Sequence, residues 1–159
     1  MNVYFLDSSG IVKRYIDEKG SGWVQGILAG QDSVAAIAEI GIVEVVAAFA
    51  RRRRVGELSQ QEYAFARRVF LRDVDQYHVI SIDREVINRA TELTDRHPLR
   101  AYDAVQLATA LRLAEVLAEE GLALTFVSAD AALCAAAAQE HLAAVNPNLL
   151  PETPFGGAQ

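Results

Sequence analysis

The chain has 159 residues, 52% of them hydrophobic and 23% charged, which favours a single domain burying roughly two-thirds of the surface its unfolded form exposes and excludes an intrinsically disordered segment. Fifteen Lys and Arg against 21 Asp and Glu leave a net charge of −6, which argues against a duplex-binding protein that relies on a broadly basic surface. It does not exclude a nucleic-acid enzyme, because carboxylates gathered to bind metal ions add to the negative total.

Residues 3–6, Val-Tyr-Phe-Leu, have the length and composition of a strand buried on both faces, and Asp7 ends it. Ser8 and Ser9 are expected to cap a helix through Val12, Tyr15 and Ile16, and Gly20 and Gly22 separate it from a second helical segment at 23–28. Residues 33–37 read as a second strand. From Glu39 the pattern is helical, closing on Arg51, Arg52, Arg53 and Arg54, where positive charge suits a helix C-terminus, and Gly56 stops it. Ser59-Gln60-Gln61-Glu62 fits a capping box and opens an amphipathic helix with Tyr63, Ala66, Val69, Phe70 and Val74 on one side. Residues 79–82 read as a third strand. Asp83 caps a helix reaching about Thr94, Pro98 marks a break, and another helix runs over about 101–120 until Gly121. A fourth strand at 123–127, an alanine-rich helix at 130–139 and a fifth strand at 142–145 complete the pattern. Strands alternating with helices imply an α/β fold with a mostly parallel, roughly five-stranded sheet covered on both faces. One domain is expected over 1–146; residues 147–159 hold three of the four prolines and read as an extended or disordered tail.

A single cysteine, Cys134, rules out an internal disulfide and a thiolate-rich metal site and points to a reducing compartment. The opening residues have no basic segment and too short an apolar run for a signal peptide, and the longest apolar stretches fall short of the roughly 20 residues a spanning helix needs. A cytoplasmic protein with no membrane partner is expected.

The acids carry more information than their sum. In open α/β sheets the ligand crevice lies beyond the carboxyl ends of the strands, where Asp7 follows one apolar strand directly and Asp130 follows another with only Ser128 and Ala129 between. Each also suits the cap of the next helix. Glu44 stands inside an uncharged run, Gly41 to Phe49, and shares a helical face with Ile40, Ala47 and Ala48. A lone carboxylate in such a setting costs several kcal/mol unless it is paired, protonated or bound to a cation. Glu39 is a poorer candidate, pointing roughly 140° away by helix geometry. Asp103 heads a face continued by Leu107, Ala110, Leu111 and Ala114, where it suits either the first turn of a helix or the same cluster. Four converging acids repel one another unless cations are present, and hard oxygen ligands suit Mg2+ or Mn2+.

The pattern resembles the PIN-domain family, in particular its VapC-like ribonuclease toxins, over residues 3 to about 147. Tyr4-Phe5-Leu6-Asp7-Ser8-Ser9 resembles the first motif, and Ile42-Val43-Glu44-Val45-Val46-Ala47-Ala48 the second. Leu99-Arg100-Ala101-Tyr102-Asp103-Ala104-Val105-Gln106-Leu107-Ala108 is the most specific piece, and Phe126-Val127-Ser128-Ala129-Asp130 resembles the last, where Thr is commoner than Ser128. The resemblance implies a three-layer α/β/α sandwich and an Mg2+- or Mn2+-dependent endoribonuclease whose catalytic and metal-holding acids are Asp7, Glu44, Asp103 and Asp130. It further implies an RNA substrate, a cognate antitoxin and a homodimer. Ser8 and Ser128 stand beside acids and are candidates for holding a metal water or the scissile phosphate. Arg51, Arg52, Arg53 and Arg54 are candidates for contact with RNA phosphates, with Arg67, Arg68 and Arg72 as a second basic group. His78, His97 and His141 have no metal-ligand spacing, and Tyr15, Trp23 and Phe49 read as core. Two other readings are open: a receiver-like phosphoacceptor signalling domain, which also places strand-end acids around magnesium, and a catalytically silent PIN module that only binds. The first expects an early pair of acids and a late lysine, whereas Asp7 stands alone and Lys13 and Lys19 both come early.

Overall fold

Five strands lie in the order β3-β2-β1-β4-β5, every neighbouring pair parallel: β1 (Asn2–Leu6), β2 (Ser33–Ala38), β3 (His78–Ile80), β4 (Leu124–Val127) and β5 (Ala143–Val145). A computed structural model of the protein describes residues 1–151. All five expected strands are present. The two edge strands are shorter than their apolar runs, because β3 stops at Ile80 and leaves the chain free to turn at Asp83, whose side chain accepts from Val86 N and caps the next helix.

Among the described residues the α-helices are α1 (Ser8–Ile11), α2 (Ser21–Ala29), α3 (Glu39–Arg54), α4 (Gln60–Asp73), α5 (Arg84–Arg96), α6 (Ala101–Glu119) and α7 (Ala131–Gln139). They form two layers because strand side chains alternate between faces. Val3 and Phe5 of β1 enter one core with Leu93, Leu107 and Leu133 from α5, α6 and α7. Leu6 enters the other with Ile11, Val24, Phe49 and Phe70 from α1 to α4. Phe5 stacks on Phe126 of β4 at 5.9 Å, and Phe49 meets Phe70 edge to face at 6.2 Å. Trp23 and Tyr15 pack against the second core as expected, giving the three-layer α/β/α sandwich. The order 3-2-1-4-5 also differs from the 2-1-3-4-5 of receiver domains and removes that reading.

The first helix is corrected. It is one α-helical turn, followed by a 3-10 turn at Val12–Arg14, and its cap is Asp7 and not Ser8 or Ser9. Lys13 ties the end of this turn to the loop that follows. Its buried Nζ donates to the Lys19 carbonyl at 2.7 Å and to Glu18 at 2.9 Å, folding the following loop back on the turn. Residue 147, where the tail was expected to begin, opens a 3-10 turn, Pro147–Leu149, in which Pro147 is buried. Gly20 makes room for it, since φ is +84° there and an added Cβ would stand 2.8 Å from the Pro147 carbonyl oxygen. Residues 152–159 lie outside the described residues. Among the described residues no helix is long and apolar enough to cross a membrane.

Candidate active site

Strand order reverses between β1 and β4, since the chain leaves β1 towards β2 and later returns to the other side as β4. The crevice at the carboxyl ends of such a pair is where doubly wound sheets hold ligands. Asp7 stands one residue past β1, and Asp130 three past β4. α1 sits directly on the end of β4: a Cβ on Gly10 would come within 2.7 Å of the Val127 carbonyl oxygen. Only glycine allows that approach, and it brings the residues after β1 into reach of those after β4.

Asp7 is 3% exposed. Its Oδ1 accepts from Gly10 N at 2.8 Å and Ser9 Oγ at 2.7 Å, and its Oδ2 accepts from Ser128 Oγ at 2.6 Å. Ser9 Oγ also accepts from Ala129 N at 2.9 Å and lies 3.3 Å from Ser128 Oγ, while Ser128 Oγ accepts from Asp130 N at 3.1 Å. Two hydroxyls therefore lace the two strand ends around one carboxylate. Asp130 caps α7 through Oδ1, which accepts from Leu133 N at 3.0 Å. At both strand ends the acid caps the helix that follows it.

The helices supply the other two acids. Glu44, half-buried on α3, accepts from Gln106 Nε2 of α6 at 2.7 Å through Oε1, and from Ser8 Oγ at 3.3 Å through Oε2. Asp103 lies in the first turn of α6 and accepts from Arg100 Nε at 3.3 Å. Successive serines after Asp7 thus serve different acids, Ser8 reaching Glu44 and Ser9 reaching Asp7.

Burial pushes the Asp7 carboxyl up to about 6, against the three donors that favour its ionised form, and the charge of Asp103 adds to the rise. Burial raises Glu44 as well, and Asp103 again contributes. Asp103 thus lies close enough to influence both carboxylates. Among the described residues neither Asp7 nor Glu44 has an ion-pair partner within 4 Å, and Arg100 pairs with Asp103 from an exposed position. The site is short of positive charge. Its donors are hard oxygens, carboxylate and hydroxyl, of the kind that suits Mg2+ or Mn2+. Among the described residues no three His, Cys, Asp or Glu side chains are grouped tightly enough to hold an ion as they stand.

A cavity of about 420 Å³ opens beside the acids, lined by Ser8, Ser9, Lys19, Arg51, Arg52 and Asn148 among others. The arginine run divides here. Arg52 is paired with Glu18, and Arg53 donates to Gln60 at 3.2 Å with its guanidinium 4.3 Å over the Tyr63 ring. Arg51 lines the cavity, while Arg54 is exposed at the helix end. The histidines stand apart from metal chemistry: His97 is buried against Glu140 at 2.6 Å, and His78 and His141 are exposed.

Ser9 and Gln106 are the contacts that sequence reasoning missed. Ser9 carried no signal beyond adjacency to Asp7. Gln106 did: an amide between Val105 and Leu107 in a largely apolar helix is a weaker form of the signal that Glu44 gives.

A family model described as PIN domain matches residues 4–138. No curated protein is similar enough in sequence to count as a relative. Among solved structures, a toxin–antitoxin complex from Klebsiella pneumoniae matches with a TM-score of 0.51 at 17% identity, over 77% of this chain and 83% of that one. VapC20 of Mycobacterium tuberculosis, a Sarcin-Ricin loop cleaving toxin, matches with a TM-score of 0.58 at 17% identity, over 84% and 94%. VapBC2 of Rickettsia felis, bound to a DNA fragment from its promoter, matches with a TM-score of 0.58 at 14% identity, over 90% and 97%. At these identities the likeness is one of fold.

Proposed function

The chain belongs to the PIN-domain family, and on that premise we propose that it is a metal-dependent endoribonuclease, the toxin of a toxin–antitoxin pair. The observation that carries the reading is Asp7, a buried carboxylate at the switch point of the sheet with no cation beside it and a second acid, Asp103, close enough to raise its pKa. Burying such a group costs several kcal/mol unless a cation offsets it, and that cost is accounted for when the group has a ligand.

Asp7, Glu44, Asp103 and Asp130 would hold Mg2+ or Mn2+. A bound divalent ion supplies Lewis acidity that lowers the pKa of a water and offsets charge on the leaving oxygen of a phosphodiester. Because no three acids among the described residues are grouped around one point, binding requires a side chain to turn, and Asp103 is the one held only by an exposed arginine. Asp7 cannot turn, since three donors fix both its oxygens. Ser9 and Ser128 position that carboxylate, and Ser8 orients Glu44. Arg51 and Arg52, which line the cavity beside the serines, would take backbone phosphates, Arg52 while paired with Glu18, with Arg53 and Arg54 further along the same helix end. No side-chain nucleophile is required.

The rest of the reading leans on the neighbours, of which one is a toxin–antitoxin complex and another a cleaving toxin. The proposed protein partners are an antitoxin and a second copy of the chain, the catalytic domain is residues 1–146, and the proposed location is the cytoplasm. Incubation of wild type, Asp7→Asn and Glu44→Gln with RNA in Mg2+ and in EDTA tests the chemistry. Cleavage only by wild type with Mg2+ is expected. Variants that cut at the wild-type rate would contradict it, and RNA binding without cleavage by the wild type would favour a silent binding module.

A further inference from the structure

Gln106 is 1% exposed and lies on α6 one turn beyond Asp103, against α3. Its Nε2 donates to Glu44 Oε1 at 2.7 Å, joining residues 62 apart in sequence. Its own oxygen, Oε1, is buried with no hydrogen-bond partner among the described residues. A carboxylate accepts and does not donate, so the amide must turn its nitrogen to Glu44 and its oxygen into the core. That orphaned acceptor costs stability. Ala104, Leu107 and Ala110 near it on the helix are apolar and buried, and the buried hydroxyl of Thr109 is satisfied within the helix by donating to the Val105 carbonyl at 2.7 Å. Methionine or leucine there would fill similar space with no unpaired group, so the fold itself gives no reason for an amide.

The geometry points to Gln106 as the positioning residue for Glu44: it pins Oε1 and leaves Oε2, held by Ser8 alone at 3.3 Å, for a divalent cation. This rests on the metal reading given above. α6 then plays two parts, delivering Asp103 and, three residues on, the group that orients the acid of α3. Outer hydrogen bonds of this kind fix the rotamer of a ligand before the ion arrives.

The test is Mn2+ binding to the full chain, followed by the loss of the free-ion electron paramagnetic resonance signal, for wild type, Gln106→Met, Glu44→Gln and the double variant, with thermal unfolding of each in EDTA. Gln106→Met is expected to weaken Mn2+ binding roughly 10- to 100-fold. In the Glu44→Gln background the same change is expected to alter affinity by less than about twofold, because there is no carboxylate left to orient. If Gln106→Met does not fold, Gln106→Asn, which keeps the amide but retracts it by one methylene, carries the same comparison. Wild-type affinity in the single variant, or an equal loss in both backgrounds, overturns the inference. A wild type that binds no Mn2+ overturns the metal reading and this inference with it, whereas Mn2+ binding indifferent to Gln106 overturns this inference alone.

Discussion

Replacing Asp7 by Asn should make the metal-free protein more stable while destroying its activity. The carboxyl has a pKa near 3.8 in the unfolded chain and about 6 when buried, so the folded state binds its proton more tightly. A group raised in this way contributes its full stability below pH 3.8 and loses it as pH rises through 6. The rise corresponds to about 3 kcal/mol at pH 8, and to about half of that at pH 5, where the unfolded carboxyl is ionised and the folded one is not. Exposure of 3% leaves little solvent screening to reduce the figure. Asparagine keeps the geometry, since its oxygen can accept from Gly10 N and Ser9 Oγ while its nitrogen donates to Ser128 Oγ. For a domain of this size about 3 kcal/mol is a Tm rise of roughly 6–12 °C. Thermal unfolding of both proteins in EDTA at pH 5 and pH 8 reads it directly. An Asn variant less stable than wild type at pH 8, or a gap of equal size at the two pH values, refutes the reasoning.

Two packing changes should behave differently. Gly10→Ala places a methyl 2.7 Å from the Val127 carbonyl oxygen; it forces α1 off β4 and should lower stability by about 1–3 kcal/mol and RNA cleavage with it, as thermal unfolding and a cleavage assay will register. Phe70→Ala empties a fully buried site between Tyr15 and Phe49 and should cost about 3–5 kcal/mol in denaturant unfolding, leaving the Mn2+ affinity of the folded fraction unchanged.

The sheet was legible because strands buried on both faces are near-continuous apolar runs, and the capping box at Ser59 and Glu62 fixed a helix start that the structure repeats in full. Edge strands were less so. β3 and β5 each pair on one side only, so their ends follow the turns around them and not the apolar run. The first helix is shorter than its apolar periodicity suggested, and the buried Lys13 that reaches forward to Glu18 and the Lys19 carbonyl is a contact that helical periodicity does not encode. At the site, Glu44 announced itself as a charge in an apolar helix, and Gln106 carried a weaker form of the same signal. Ser9 had none, because its role depends on Gly10 bringing α1 onto β4. The arginine run was legible as a cluster, but that Arg51 and Arg52 line the cavity, with Arg52 also paired to Glu18, while Arg53 donates to Gln60, depends on where those partners fall in space.

Asp7 after β1, Glu44 of α3, Asp103 of α6 and Asp130 after β4 are proposed to form one cation site. A crystal of the protein grown with Mn2+ and measured at the manganese absorption edge tests it most directly. The expected result is an anomalous peak shared by the carboxylates of Asp7, Glu44 and Asp103, with Asp103 turned away from Arg100. An empty crevice at saturating Mn2+, or manganese bound elsewhere with Asp103 still paired to Arg100, would contradict it.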